Sequence, residues 1–139
     1  MTVETQSLKF HTRKEGEILD ITDKVQSLVE NGVIKDGVAF LFVPGSTAAI
    51  TTIEYEPGLV SDLTSMLDRV VPRDASYEHD KRWHDGNGHS HLRASLIGPD
   101  FFVPFQDRRL TLGKWQQIVF VELDVRARDR TVIVQIMGD

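Results

Sequence analysis

The chain has 139 residues, 40% of them apolar and 27% charged, which suits one folded globular domain and excludes a disordered one. It contains no cysteine, so a disulfide scaffold, a thiolate metal site and a cysteine nucleophile are all excluded. Its 16 Lys and Arg stand against 21 Asp and Glu, a net charge of −5, which disfavours a nucleic-acid partner because such binding depends on neutralising phosphates.

In chain order, residues 4–11 read as an edge strand of mixed polarity. Thr22 is then placed as an N-cap with Asp23 in the first turn, and Val25, Leu28 and Val29 follow at helical spacing up to the stop signal Asn31-Gly32. The apolar run Gly37–Val43 is too short for a good helix and reads as a buried strand ending at Pro44. Ala48–Tyr55 carries the β-branched Ile50, Thr51, Thr52 and Ile53 and reads as the next strand. Past Pro57-Gly58, the residues Leu59, Leu63, Met66, Leu67 and Val70 mark a second amphipathic helix closed by Pro72.

Residues 73–88 read as irregular. Beyond them, Leu92, Ala94 and Leu96 alternate with Arg93 and Ser95, which predicts a strand with His91 at its entrance. In that register His89, His91 and Arg93 share the polar face, and the three apolar side chains point to the core. Phe101–Val103, Gln117–Leu123 and Thr131–Ile136 complete the strands. Two main helices among about seven strands predict a single α+β domain over residues 1–139 with a mainly antiparallel sheet. No apolar run approaches the ~18–20 residues that span a bilayer, so no membrane partner is expected and the expected address is cytoplasmic.

Four of the five histidines fall between Tyr77 and His91. His79, His89 and His91 form a candidate set of three imidazoles for a divalent metal, with Asp80 or Asp85 orienting a ligand ring from behind. Solvated loop histidines would give the same pattern. The loop Pro44-Gly45-Ser46-Thr47-Ala48 offers small residues and hydroxyls that let backbone N–H groups approach a phosphate, although plain turn chemistry accounts for the same residues. Glu54 and Asp62 are candidate acids or bases. Arg108, Arg109, Lys114, Arg126, Arg128 and Arg130 cluster the positive charge late in the chain, where a small anion could bind.

Three motifs then fall together. Val43-Pro44-Gly45-Ser46-Thr47-Ala48-Ala49-Ile50, the stretch from Tyr77-x-His79 through Gly86-Asn87-Gly88-His89-Ser90-His91-Leu92-Arg93-Ala94-Ser95-Leu96, and Leu110-Thr111-Leu112-Gly113-Lys114-Trp115-Gln116 together resemble the YjbQ family. Its members are described as secondary thiamine-phosphate synthase-like, and the resemblance covers nearly the whole chain. It implies a compact homotrimer with a polar pocket near the His/Asn loop, close to a subunit boundary. It also implies a weak activity that joins a hydroxymethylpyrimidine diphosphate to a thiazole phosphate, usually with Mg²⁺. Two positions depart from the pattern. Many relatives carry His-Thr-Thr-Ala where this chain has Gly45-Ser46-Thr47-Ala48, and Asp where His89 stands.

The expected function is therefore a small-molecule enzyme of this type. Glu54, Asn87 and His91 are the expected catalytic residues, and Ser46, Thr47, Arg93 and Arg108 the expected substrate-binding ones. His79, His89 and His91 are the expected ligands of a zinc or magnesium ion. The expected partners are further copies of the chain and a small phosphorylated molecule. The alternative is a metal- or anion-binding homotrimer without efficient catalysis of its own.

Overall fold

Every strand pair is antiparallel, and the strands form two sheets in a computed structural model that describes residues 1–139. The larger sheet runs β1 (Thr2–His11), β8 (Asp129–Gly138), β3 (Gly37–Phe42), β5 (Asp100–Gln106) and β6 (Arg109–Leu110). The smaller runs β2 (Ile18–Asp20), β7 (Gln117–Glu122) and β4 (Ala48–Ile53). Four helices accompany them: α1 (Thr22–Asn31), α2 (Pro57–Val70), α3 (Glu78–Trp83) and α4 (Gly88–Ile97). The expected α+β class and antiparallel sheet are present, with two more helices than the sequence suggested.

Strand β7 explains the layering. Its residues Ile118 and Phe120 join a core with Val25 and Val29 of α1 and with Leu41, Val103, Val132, Val134 and Ile136 of the larger sheet. The alternate residues Val119 and Val121 join a second core with Ala49, Leu67 of α2 and Ala94 of α4. A strand covered on both faces has no polar side to show, which is why Ile118–Val121 reads as an unbroken apolar run. By contrast β3 buries only Ala39 and Leu41 fully and exposes Phe42, so its run is less deeply covered than the sequence implies.

The local signals are largely obeyed, with two corrections. Thr22 is the first helical residue rather than the cap of α1. Asp20 caps the turn instead, accepting from Thr22 N at 2.9 Å. The Thr22 hydroxyl accepts from Ile118 N at 2.9 Å and so fastens the helix to β7. At α2 the Glu56 side chain accepts from Gly58 N and Leu59 N ahead of Pro57, whose fixed φ and missing N–H suit the first turn.

The larger correction concerns residues 78–97. The expected strand at 92–96 is the helix α4, and the stretch read as irregular contains α3. The buried face of α4 is built from His89, Ser90, Arg93 and Ala94, at positions i, i+1, i+4 and i+5. Three of those four are polar, so hydrophobic periodicity does not reveal the helix. Leu92 and Leu96, expected in the core, are 50% and 57% exposed.

Candidate functional site

The β3–β4 loop, residues 85–91 and the chain from Asp124 to Thr131 enclose a cleft of about 770 Å³. The first contributes Gly45, Ser46 and Thr47, the second Asp85, Asn87 and His91, and the third Asp124, Arg126, Arg128 and Arg130. The cleft is almost entirely polar: Val43 and Val125 are the hydrophobic side chains in its lining.

One wall rests on a buried ion pair at the start of β8. Glu122 is fully buried and Arg130 is 7% exposed. The guanidinium donates to both carboxylate oxygens, from Nε at 2.8 Å and from Nη2 at 2.5 Å. Glu122 also accepts from the Thr12 hydroxyl at 2.8 Å and from Asp124 N at 3.0 Å. Arg130 Nη2 reaches on to the Thr47 hydroxyl at 3.0 Å and the Thr47 carbonyl at 3.2 Å. The carboxylate is thus paired and saturated, the condition under which a buried charge is tolerated. The same guanidinium holds the β3–β4 loop against the end of β7.

Asp124 lies beside that pair. Burial pushes its carboxyl up, but the opposing donors win: the Val125 amide, Arg128 at 3.3 Å and the Thr47 hydroxyl hold it below the usual carboxylate range. Asp124 is therefore an anion across the neutral pH range. Arg126, two residues on, is exposed and makes no ion pair or hydrogen bond within the chain.

The opposite wall carries the histidines. His84 ends α3 in the left-handed conformation with φ 57°, and the chain turns through Gly86 into α4. Gly88 donates to Asp80 Oδ1 at 2.8 Å, and a Cβ there would stand 2.7 Å from the Tyr77 Cβ, so only glycine fits the approach of the two helices. His79 Nε2 lies 3.1 Å from the Asn87 amide and 3.3 Å from Asp85 Oδ1. The amide nitrogen of Asn87 is 3.0 Å from Asp85 Oδ1 when turned that way and 3.5 Å from Asp124 Oδ1 when turned the other. The shorter contact favours Asp85, an orientation assigned from the surrounding donors and acceptors. The rings of His79 and His91 are 4.5 Å apart between centroids. No side chain bonds the ring of His91, which faces the cleft.

The expected set of three imidazoles does not assemble. On a helix, residues two apart lie on nearly opposite sides, so His89 turns away from His91. His89 is 1% exposed, pairs with Glu15 Oε1 at 2.5 Å, and leaves its Nδ1 without a partner. Glu15 in turn pairs with Arg73 at 2.8 Å. No three His, Asp or Glu side chains within the chain are arranged to hold a metal ion, so the three expected ligands do not form one centre.

The other expected residues divide. Ser46, Thr47, Asn87 and His91 line the cleft, and Asp85 lies 3.3 Å from the His79 ring. Arg93 does not. Its guanidinium caps the end of α2, donating to the Val71 carbonyl at 2.9 and 3.0 Å and to Asp68 at 2.9 Å. Arg108 lies at the β5–β6 turn, bonded to the Gly32 carbonyl at 3.2 Å. Glu54 faces a separate surface depression with Asp20, Glu56 and Trp115. Glu122 and Asp124 were missed; the signal was two acids within an otherwise apolar stretch, Val119–Val125.

Comparison with known proteins agrees with the fold. Residues 6–139 match the family described as UPF0047 protein YjbQ-like. A UPF0047 protein of Methanothermobacter thermautotrophicus is 42% identical over 138 residues, 99% of this chain and 94% of that one. The YjbQ protein of Salmonella typhimurium is 30% identical over 121 residues, 86% of this chain and 85% of that one. The crystal structure of a YbjQ-like protein of Sulfolobus solfataricus superposes with a TM-score of 0.89 at 33% identity, covering 99% of this chain and 100% of that one. One of a YjbQ/UPF0047 protein of Clostridium acetobutylicum gives 0.82 at 34% identity, over 94% of this chain and 99% of that one. With the family matched over nearly its whole length and the architecture shared, this chain belongs to the YjbQ/UPF0047 family.

Proposed function

We propose that the cleft is the active site of an enzyme acting on a small phosphorylated molecule. The observation that carries this reading is its division into two chemically distinct walls, one of arginines and hydroxyls, the other of His91, Asn87 and Asp85 with the His79 ring packed against His91. Its volume of about 770 Å³ falls within the ~300–1,000 Å³ range of small-ligand sites. Arg126, Arg128, Ser46 and Thr47 would hold the anionic group. His91 would contact the reacting part of the ligand, its orientation set by His79, which Asp85 and Asn87 fix in turn.

The finer reading follows the family resemblance: the thiazole nitrogen attacks the methylene carbon of hydroxymethylpyrimidine diphosphate, a C–N bond forms, and the C–O bond to diphosphate breaks. A thiazole nitrogen carries a free lone pair, so no base is needed, and Glu54 has no part at this cleft. Catalysis would come from positioning both reactants and from arginines stabilising the departing diphosphate. A homotrimer belongs to the same proposal; the exposed Leu92, Leu96, Met66 and Val70 would supply apolar contacts. Light scattering that returns a monomer at micromolar concentration removes the trimer.

The enzyme is tested by incubating the two phosphorylated precursors with wild type, Arg126→Met and His91→Ala and measuring thiamine phosphate. Arg126→Met is expected to raise KM and His91→Ala to lower kcat. Saturable binding of both precursors with no turnover would instead favour a binding protein without catalysis.

A further inference from the structure

The guanidinium of Arg130 has one nitrogen to spare. Nε and Nη2 are engaged by Glu122 and Thr47, while Nη1 makes no hydrogen bond within the chain. The side chain is more than nine-tenths buried, yet it lines the cleft. Above Nη1 lies Gly45, where an added Cβ would stand 3.3 Å from that nitrogen and meet nothing else closer than 3.9 Å. Gly45 does not require a left-handed backbone, since its φ lies outside the positive region. The glycine is there for the space, and the space is over a donor.

Further donors line the same cleft without a partner within the chain: the Arg126 guanidinium, the Ser46 and Thr131 hydroxyls and the ring of His91. With Nη1 they outnumber what the two oxygens of a carboxylate can engage, whereas a terminal phosphoryl group presents three. We propose that Arg130 Nη1 is the donor that reads the terminal phosphoryl group of the ligand, and that Gly45 is the specificity-determining residue that keeps the room for it. The proposal rests on reading the cleft as a site for a phosphorylated molecule, and it deepens that reading by naming the atom and the space that select the group.

The chemistry has a consistent logic. A guanidinium presents five N–H donors in a fixed planar fork. Glu122 and Thr47 use those on one side and lock the plane, so the far side is oriented before any ligand arrives. An oxyanion bonded to Nη1 at the usual N–H···O separation of ~2.9 Å would occupy the volume that any side chain at position 45 would enter. Preorganised, charge-assisted donors of this kind cost no rearrangement on binding.

Replacing Arg130 itself leaves Glu122 buried and alone, so the decisive variant is Gly45→Val on the exposed loop. Binding of inorganic phosphate to the full-length protein is measured by titration calorimetry. In parallel, the ¹H–¹⁵N resonances of the Gly45 amide and the Arg130 guanidinium are followed by NMR. Wild type is expected to bind phosphate saturably with both resonances moving, to bind acetate at least about tenfold more weakly, and to lose at least about tenfold in phosphate affinity on Gly45→Val. The melting temperature of that variant should stay near wild type. Equal affinity in Gly45→Val and wild type overturns the proposal. If phosphate binding survives Gly45→Val but disappears in Arg126→Met, the cleft remains an anion site and the assignment to Arg130 alone is lost. If wild type binds no phosphate, both readings fall.

Discussion

Removing Arg130 while leaving Glu122 in place is the sharpest test of the buried pair. In Arg130→Met the carboxylate keeps the Thr12 hydroxyl and the Asp124 amide but loses its only positive partner, at full burial. Breaking a buried ion pair by deleting one member costs about 3–5 kcal/mol, because an uncompensated charge is left behind. For a chain of this length that corresponds to a fall in melting temperature of roughly 10–20 °C. The double variant Arg130→Met/Glu122→Leu should recover most of the loss. Thr12 still donates to the Arg128 carbonyl, and only the Asp124 amide loses its acceptor, worth about 1 kcal/mol. Urea denaturation followed by circular dichroism on the four members of the cycle gives the coupling directly. A single-variant cost under about 1 kcal/mol would refute the reasoning, since it would mean that water reaches the carboxylate. Simple additivity in the double variant would refute it equally.

Four further outcomes follow from the same geometry. Leu92→Ala should cost less than about 1 kcal/mol by urea denaturation because its side chain is half exposed, whereas Leu67→Ala, in the second core, should cost about 2–5 kcal/mol. Gly88→Ala forces a Cβ to within 2.7 Å of Tyr77 and should destabilise by about 1–3 kcal/mol, read as a lowered melting temperature. His89→Ala should lower stability and leave phosphate binding intact, because His89 faces Glu15; His91→Ala should leave both near wild type and lower kcat, because His91 lines the cleft. Asp124 titrates below its unfolded value, so its contribution is fully present above the unfolded carboxylate pKa of ~3.9 and is lost as pH falls through the lower folded value. The stability difference between wild type and Asp124→Asn should therefore hold steady from neutral pH down to about 4 and shrink below it; a difference that grows on acidification contradicts the assignment.

The parts of the fold that were legible are those in which apolar residues carry the pattern. The run Gln117–Leu123 announced β7, and Leu59, Leu63 and Leu67 announced α2, because both elements bury aliphatic side chains. Helix α4 was illegible for a physical reason. Its buried face is His89, Ser90 and Arg93, and the burial of His89 and Arg93 depends on Glu15, Val71 and Asp68, partners remote in sequence. Meanwhile Leu92, Ala94 and Leu96 imitate a strand from what is mostly the exposed side. Gly98, following the helix with φ 107°, was the local stop signal that went unweighed. At the site the contrast is similar. Ser46, Thr47, Asn87 and His91 stood out by type and clustering, but Arg93 was placed by a strand register that the helix overturns and Arg108 by charge alone. Charge does not tell a capping arginine from a ligand-facing one. Arg130 and Glu122 could be paired only once β7 and β8 were seen side by side.

Because β7 is covered on both faces, the two walls of the cleft differ in how long they keep their shape. Glu122 ends that doubly covered strand and Asp124 lies two residues beyond, while α3, which carries His79, buries no residue at all. Free energies of local opening run from near zero in thinly packed segments to the global value in core strands. Amide hydrogens of Val119, Phe120 and Val121 should be among the last in the protein to exchange, and those of residues 78–83 among the first. The support behind His91 is thus the side expected to open first, and the arginine wall the more lasting reference.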